Sequence, residues 1–94
     1  MSLTFEWDGK KADTNLAKHG VAFAEATSIF GDDRSSTIPD PDHSFDEDRF
    51  VTIGRSTTGN VLAVVHTVRG ANFRIISARK ANTKERIKYE EKNK

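Results

Sequence analysis

The segment from residue 49 to residue 79 reads RFVTIGRSTTGNVLAVVHTVRGANFRIISAR and contains three β-strand patterns. Residues 49–55 and 73–79 alternate between apolar and polar side chains, as half-buried strands do. Residues 61–69 are apolar on both faces, which is typical of a central strand. The two links between the strands are short and contain glycine and asparagine, which suit hairpin turns. The segment therefore predicts three sequential antiparallel strands that form a meander.

The elements before and after this meander are predicted from apolar spacing, capping residues and turn residues. Before the meander, we expect a strand at 3–7 with Leu3, Phe5 and Trp7 on one face, and a helix from about Gly9 to Lys18 that begins after Asp8 and ends at His19-Gly20. A second helix from about Phe23 to Phe30 and an edge strand near Ser35–Ile38 follow. After the meander, we expect a C-terminal helix with Asn82 and Glu85 as a capping box. This order predicts one α+β domain over residues 1–94, with helices on one face of an antiparallel sheet.

Two of the predicted helices carry thin apolar stripes. Ala12 and Leu16, at positions i and i+4, are expected to face the core from the first helix. Ile87 and Tyr89 are the only large apolar residues of the C-terminal helix. That helix is therefore expected to be weakly anchored and to complete its packing against another chain.

Composition limits the chemistry that is available. The chain has no cysteine, which excludes disulfides, thiolate nucleophiles and zinc–thiolate sites. No apolar run is long enough to cross a bilayer and the start lacks a signal-peptide pattern, so we expect a cytoplasmic location and no membrane partner. Residues 1–49 hold 5 basic and 11 acidic side chains, whereas residues 50–94 hold 10 basic and 3 acidic ones. The second half can present a basic surface to phosphates or to an acidic protein, or the charges can mingle on a solvated surface.

The sequence offers no pattern typical of a metal or cofactor site. The three histidines are far apart and form no HxxxH or HExxH pair. The aspartates between residues 40 and 48 lack the glycine and the terminal glutamate of a calcium loop, so a solvated acidic loop is favoured. No glycine-rich phosphate loop is present. We therefore expect neither a bound metal nor a cofactor.

Basic residues near the predicted sheet are the remaining candidates for chemistry. Arg69 ends the central strand, and regular alternation would place Ser77 and Arg79 on one face of the next strand, together with Phe73 and Ile75. Arginine in a sheet needs an anion, which can be a substrate phosphate or, within the chain, Glu47, Asp48 or the C-terminus. Metal-free RNA cleavage needs a base for the 2′-hydroxyl, cations for the phosphorane and an acid for the leaving oxygen. The residue types able to fill those roles are Lys18, His19, Glu47, Arg69, Ser77 and Arg79.

Several segments, taken in order, resemble the BrnT toxins of bacterial type II toxin–antitoxin systems. They are FEWD at 5–8, KA at 11–12, NLAKHGV at 15–21, FAEA at 23–26, DHS at 42–44, EDRF at 47–50, IG at 53–54, VVHT at 64–67, Arg69, RIISARKA at 74–81, Glu85 and Tyr89-Glu90. The NLxKHG and RIISARxA segments are the most distinctive. The resemblance covers nearly the whole chain.

The resemblance implies a RelE-like fold, ribonuclease activity and a partner antitoxin that contains a ribbon-helix-helix DNA-binding part. Carried over to matching positions, it implies catalytic roles for Lys18, His19, Glu47, Arg69, Ser77 and Arg79, and substrate-binding roles for Arg49, Arg74 and Lys80. We expect Arg69 and Arg79 to stabilise charge on the scissile phosphate, with Lys18 and His19 nearby and Glu47 as the base.

Regulation follows from the same resemblance. Operator DNA would be bound only through the complex with the BrnA-like antitoxin, and the basic residues 69–94 would be the surface that meets it. An alternative function is a catalytically silent module of the toxin–antitoxin complex that only binds protein or nucleic acid.

Overall fold

The computed structural model describes residues 3–40 and 48–92. Their elements are β1 (Thr4–Glu6), α1 (Gly9–His19), α2 (Phe23–Thr27) followed by a 3-10 turn (Ser28–Gly31), β2 (Ser36–Pro39), β3 (Phe50–Arg55), β4 (Val61–Arg69), β5 (Asn72–Lys80) and α3 (Thr83–Lys92). The five strands form one sheet in the order β1-β5-β4-β3-β2. No helix in this part of the chain has the length and apolarity needed to cross a membrane.

The predicted meander is confirmed, and the predicted edge strand extends it. β2, β3, β4 and β5 pair antiparallel in sequence order, with β2 at the edge. The expectation of a wholly antiparallel sheet is wrong, because β1 pairs in parallel with β5, with Phe5 opposite Phe73. A parallel pair is possible here because a long stretch of chain, not a hairpin, connects these two strands. Leu3 and Trp7 are 49% and 38% exposed, so they do not form the buried face expected of them.

The predicted caps of α1 are confirmed, and its predicted apolar face is confirmed at Ala12, which packs against the core, but not at Leu16. Asp8 Oδ1 accepts hydrogen bonds from the backbone N–H groups of Lys10 at 2.8 Å and Lys11 at 3.4 Å, and Gly20 ends the helix with φ of 70°. Leu16 is 50% exposed, whereas Asn15 is only 6% exposed. The amide is buried because α1 lies beside β5, whose backbone groups need hydrogen-bond partners there.

The core lies between the sheet and the segment that contains α2 and the 3-10 turn. Phe23, Ala26 and Ile29 are buried as predicted, and Phe30 packs against the core from a half-buried position. The buried residues that pack together as the core cluster are Val21, Phe23, Ala26, Ile29, Leu62, Val64, Ile75 and Ala78. The helical segment therefore covers one face of the sheet.

A β-bulge interrupts β5 at Ile76. His66 pairs with Ile75 and Val65 pairs with Ser77, so Ile76 has no opposite residue. Ile75 and Ala78 are both buried in the core although they are three positions apart, which a regular strand does not allow. The prediction that Ile75 shares a face with Ser77 and Arg79 is therefore wrong, because the bulge reverses the alternation between these positions.

Polar contacts attach α3 to the rest of the described structure, together with one buried side chain. The predicted capping box is confirmed: the Asn82 N–H donates to Glu85 Oε1 at 2.9 Å, and the Glu85 N–H donates to Asn82 Oδ1 at 2.8 Å. Tyr89 is buried and donates its hydroxyl hydrogen to Asp32 Oδ2. Ile87 is 49% exposed. The prediction of a weakly anchored helix agrees with this single buried residue, whereas packing against another chain stays a prediction.

Candidate functional site

A cleft of about 300 Å³ lies between α1 and β5. We call it the α1–β5 cleft, and its lining residues are Lys10, Lys11, Thr14, Asn15, Lys18, His19, Ile76 and Ser77. The helical repeat explains why so much of this set comes from α1, since residues three, four, seven and eight positions apart share one face. The cleft brings together Lys18, His19 and Ser77, three of the residues predicted from sequence.

The lysines of the α1–β5 cleft lack a carboxylate partner in the part of the chain that the structure describes. Within residues 3–40 and 48–92, no carboxylate forms an ion pair with Lys10, Lys11, Lys18 or His19. Three ammonium groups therefore create a positive potential in the cleft that Ser77 lines. Such a cleft is suited to an anionic ligand, and a phosphodiester is one that lysine and serine side chains bind well.

Asn15 holds the two walls of this cleft together. Its Nδ2 donates to the backbone oxygens of Val21 at 2.9 Å and Ala78 at 2.8 Å, while its Oδ1 accepts from the Ala78 N–H at 3.1 Å. β1 pairs only with Asn72–Arg74, so Asn15 satisfies backbone groups of β5 beyond the end of that pairing. The bulge at Ile76 lies next to this anchor and places Ile76 and Ser77 beside α1.

Arg79 is held by a carboxylate of the same chain. Its Nη1 and Nη2 donate to Glu85 Oε1 and Oε2 at 2.7 and 3.0 Å, a bidentate pair that ties β5 to α3. The hydrogen bonds from Arg79 lower the pKa of Glu85, and the same bonds raise the pKa of Arg79. This contact corresponds to the carboxylate alternative considered for the arginines.

Arg69 and Arg79 lie at opposite ends of the sheet. Arg69 pairs with Asn72, and Arg79 pairs with Ala63. The two positions are six residues apart along β4, or about 20 Å at the rise of a strand. The expectation that they converge on one phosphate is therefore wrong. β4 and β5 are antiparallel, so Arg69 at the end of β4 lies beside the start of β5, whereas Arg79 lies near the end of β5.

Arg74 and Arg49 lie towards the Arg69 end. Arg74 Nη1 donates to Glu6 Oε2 at 2.8 Å, and Asn72 Nδ2 donates to Glu6 Oε1 at 3.0 Å. Asn72 and then Arg74 lower the pKa of Glu6 through these bonds. Arg49 is half-buried and directly precedes β3, and its backbone oxygen accepts from the N–H of Asp40 at 2.8 Å.

Two further predicted positions lie elsewhere. Lys80 ends β5 and is opposite Leu62, beyond the α1–β5 cleft. Glu47 lies outside the described residues, as does the matching DHS segment at 42–44. The set of predicted site residues is thus divided among the cleft, the two ends of the sheet and this segment.

His66 is buried among aromatic rings and is not part of the cleft. Its Nε2 lies 2.7 Å from Thr52 Oγ1, and its ring stacks on Phe73 with centroids 5.2 Å apart. Burial lowers the pKa of His66 to about 4, so the imidazole is neutral near pH 7. Its Nδ1 has no hydrogen-bond partner in the described structure. This histidine contributes to packing on the side of the sheet covered by the helices.

Sequence reasoning missed Lys10, Lys11 and Thr14. Their signal was present, because Lys10, Thr14 and Lys18 follow one another at intervals of four in α1. It was overlooked because the apolar pair Ala12 and Leu16 was used to orient the helix. A basic helical face gains significance only when the opposing strand is known.

Comparisons with known proteins agree with the resemblance seen in the sequence. The family model described as the ribonuclease toxin BrnT of type II toxin–antitoxin systems matches residues 7–85. A search of curated proteins gave no match. The fold is similar to the 1.1 Å crystal structure of the Brucella abortus ribonuclease toxin BrnT, with a TM-score of 0.68 and 27% sequence identity. That match covers 87% of this chain and 100% of the other. The chain therefore belongs to the family of BrnT ribonuclease toxins of type II toxin–antitoxin systems.

Proposed function

We propose that this chain is an endoribonuclease toxin that cleaves RNA without a metal ion in the α1–β5 cleft. The observation that carries the proposal is the set of Lys10, Lys11, Lys18 and His19 that lines one cleft with Ser77 and that pairs with no carboxylate among the described residues. Membership of a ribonuclease toxin family supports RNA as the anionic ligand. Among the described residues no group of three or more His, Asp or Glu side chains is placed to hold a metal ion.

The chemistry requires one proton to leave and another to arrive. A base removes the proton of a 2′-hydroxyl, the 2′-oxygen attacks the adjacent phosphorus, and the bond from phosphorus to the 5′-oxygen breaks. The 5′-oxygen takes up a proton, so the products are a 2′,3′-cyclic phosphate and a 5′-hydroxyl. His19 is the cleft residue whose ring nitrogens can both accept and donate a proton. The lysines stabilise the charge that develops on the phosphorane, and Ser77 donates a hydrogen bond to it.

The other predicted site residues have roles outside the cleft in this proposal. Glu47 remains the alternative base that the family resemblance implies. Arg49, which precedes β3, and Arg69, at the end of β4, would contact flanking RNA, whereas Arg74 holds Glu6. Arg79 contributes to the position of α3 through Glu85.

The decisive experiment is RNA cleavage by the purified toxin in EDTA. The toxin is separated from its antitoxin under denaturing conditions, refolded and incubated with end-labelled single-stranded RNA. We expect cleavage that EDTA leaves unchanged, and products that carry a cyclic phosphate. A His19→Ala variant purified in the same way controls for contaminating nucleases. Activity that disappears on chelation and returns with a divalent ion would contradict the metal-free mechanism.

The type II family implies an antitoxin partner, and we propose that it is a ribbon-helix-helix protein that covers residues 69–92 of this chain. The exposed Ile87 on a helix that also carries Lys84, Arg86 and Lys88 supports this surface. Operator DNA would then be bound only through the complex. Association should be slower at high salt, since exposed charges act mainly on the association rate. An association rate that salt does not change would contradict the charge-based part of this proposal.

A catalytically silent binding module is the second candidate. The pairing of Arg74 and Arg79 with carboxylates favours it, because two predicted phosphate ligands are already occupied. The two candidates differ in vivo. Induction of the toxin without its partner arrests growth if the toxin is active, and a His19→Ala variant should then relieve the arrest.

A further inference from the structure

Three aliphatic residues and a serine form a row across four strands of the sheet. Ile38 pairs with Val51, Val51 pairs with Val65, and Val65 pairs with Ser77. Directly paired residues of antiparallel strands point to the same face of a sheet. We call Ile38, Val51 and Val65 the aliphatic row, and Ser77 is the residue at its end.

The aliphatic row lies on the face of the sheet opposite the core. Val64 and Ala78 pair with each other and are buried in the core cluster, so the adjacent residues Val65 and Ser77 point to the other face. Ile38 is 58% exposed, more than any other large apolar side chain of the described residues, and Val51 and Val65 are half-buried. Adjacent aliphatic side chains that retain exposed area are typical of a docking surface.

The row borders the surface of residues 69–92 that is proposed to meet the antitoxin. Ser77 belongs to that surface, and Arg79 binds Glu85 of α3 on the same face of the sheet. The row therefore extends a proposed interface onto β4, β3 and the edge strand β2.

The row also leads into the α1–β5 cleft. Ser77 lines that cleft together with lysines that have no carboxylate partner in the described part of the chain, namely Lys10, Lys11 and Lys18. Neighbouring strands lie about 4.8 Å apart, so three strand spacings separate Ile38 from Ser77 by about 14 Å. A partner segment on the row would reach the cleft, and acidic side chains at that end would complement the lysines.

The spacing of the row fits an α-helix that crosses the strands. A helix rises about 5.4 Å per turn, close to the strand spacing of about 4.8 Å, so side chains one turn apart can contact Val65, Val51 and Ile38 in succession. An extended segment repeats its side chains on one face about every 6.7 Å and falls out of step over three strands. Nucleic acid bases stack on aromatic rings or guanidinium planes, whereas this row is aliphatic. The row therefore favours a helical protein partner over RNA.

We propose that the aliphatic row binds an amphipathic helix of the antitoxin, which has apolar side chains at intervals of one turn and acidic side chains at the end that enters the α1–β5 cleft. Such a helix would exclude RNA from Ser77 and neutralise the lysines of the cleft at once. The docking part of this inference rests on the antitoxin that the type II family implies, and the blocking part rests on the proposed function.

The test compares two double variants of the toxin for binding to the purified, full-length antitoxin encoded beside it. Ile38→Thr with Val65→Thr makes the row polar and keeps β-branched side chains, which suit strands. Leu3→Thr with Val68→Thr is the control, since it changes exposed aliphatic residues outside the row. Binding kinetics are measured by surface plasmon resonance, RNA cleavage is measured with the same proteins, and folding is checked by thermal unfolding.

For the row variant, we expect Kd for the antitoxin to rise about tenfold or more, mainly through faster dissociation. KM for RNA should stay within about twofold of the parent value. The control variant should bind the antitoxin like the parent. Equal losses of affinity in both variants would be a general effect of surface apolarity and would refute the docking site.

A second measurement locates the contact with single thiols. The chain has no cysteine, so Ile38→Cys introduces a unique thiol, and Val68→Cys introduces a matched one outside the row. We expect bound antitoxin to slow the reaction of a maleimide with the Ile38→Cys variant at least tenfold and to leave the Val68→Cys variant unchanged. An Ile38→Cys variant that reacts equally fast with and without antitoxin would contradict the proposal.

Other results separate this inference from its alternatives. If the row variant binds the antitoxin like the parent but raises KM for RNA, the row is an RNA surface and the inference is wrong. If the toxin alone is a dimer that the row variant dissociates in size-exclusion chromatography, the row joins two copies and the inference is also wrong. If the parent binds the antitoxin through the row but cleaves no RNA, the proposed function fails and the docking site stands.

Discussion

The basic residues on α1 and the arginines on β5 have different electrostatic partners. Arg74 and Arg79 bind the carboxylates of Glu6 and Glu85, at 2.8 and 2.7 Å. Lys10, Lys11 and Lys18 line a cleft without an ion pair in the described structure. The arginines therefore join elements of the fold, whereas the lysines retain their charge for a ligand. This difference teaches that Arg74 and Arg79 have a structural role, because each of them is already paired with a carboxylate of the same chain.

The largest expected effect comes from neutralising the unpaired cations. The triple change Lys10→Gln, Lys11→Gln and Lys18→Gln should lower kcat/KM for RNA by about 100-fold or more, since it removes the charges proposed to stabilise the phosphorane. The matched variant Arg74→Gln with Arg79→Gln should lower it only a few-fold. The measurement is cleavage of labelled RNA in EDTA by proteins of verified folding. The opposite ranking would mean that the paired arginines contribute the chemistry.

Asn15 provides the next largest effect, on stability. Asn15→Ala removes three hydrogen bonds and leaves the backbone groups of Ala78 and Val21 without that partner. We expect the free energy of unfolding to fall by about 3 kcal/mol, at roughly 1 kcal/mol for each bond. Leu16→Ala on the same helix should cost under about 1 kcal/mol, because Leu16 is half exposed. Urea unfolding of both variants measures these changes. Equal losses of unfolding free energy in the two variants would mean that Leu16 is a core residue.

Arg79 should affect stability more than catalysis. The Arg79 and Glu85 side chains are 41% and 25% exposed, so their pair should contribute only about 1 kcal/mol. A double-mutant cycle with Arg79→Gln and Glu85→Gln measures this coupling, and glutamine at 85 can still cap α3. We expect kcat in the Arg79→Gln variant to stay within a few-fold of the parent. A hundredfold loss of kcat would mean that Arg79 contacts the reacting phosphate after all.

The smallest expected effect is the response of this pair to acid. Arg79 holds the pKa of Glu85 below its ordinary value of 4.5. Because the folded pKa is the lower one, the stabilisation is present above pH 4.5 and is lost as the pH falls through the folded value. The free energy of unfolding should therefore fall more in the parent than in Glu85→Gln between about pH 5 and pH 3. Parallel pH profiles would show that the pair contributes nothing measurable.

The sequence by itself determined features that depend on neighbouring residues. Asp8 and Gly20 cap α1, Asn82 and Glu85 form the capping box of α3, and alternation with glycine-containing turns specifies the meander. Each of these depends on contacts or conformations within a few residues, so the pattern carries the information. Distinctive motifs such as NLxKHG and RIISARxA were likewise enough to indicate the family.

Only the tertiary structure decided which side chains meet. Asn15 and Ala78 are 63 residues apart in sequence, and their contact builds the α1–β5 cleft. The bulge at Ile76 reverses the faces of β5, and the meander sends Arg69 and Arg79 to opposite ends of the sheet. A carboxylate partner for an arginine also depends on long-range packing, as Glu6 does for Arg74. These features depend on distances between elements, which a local pattern of side chains does not specify.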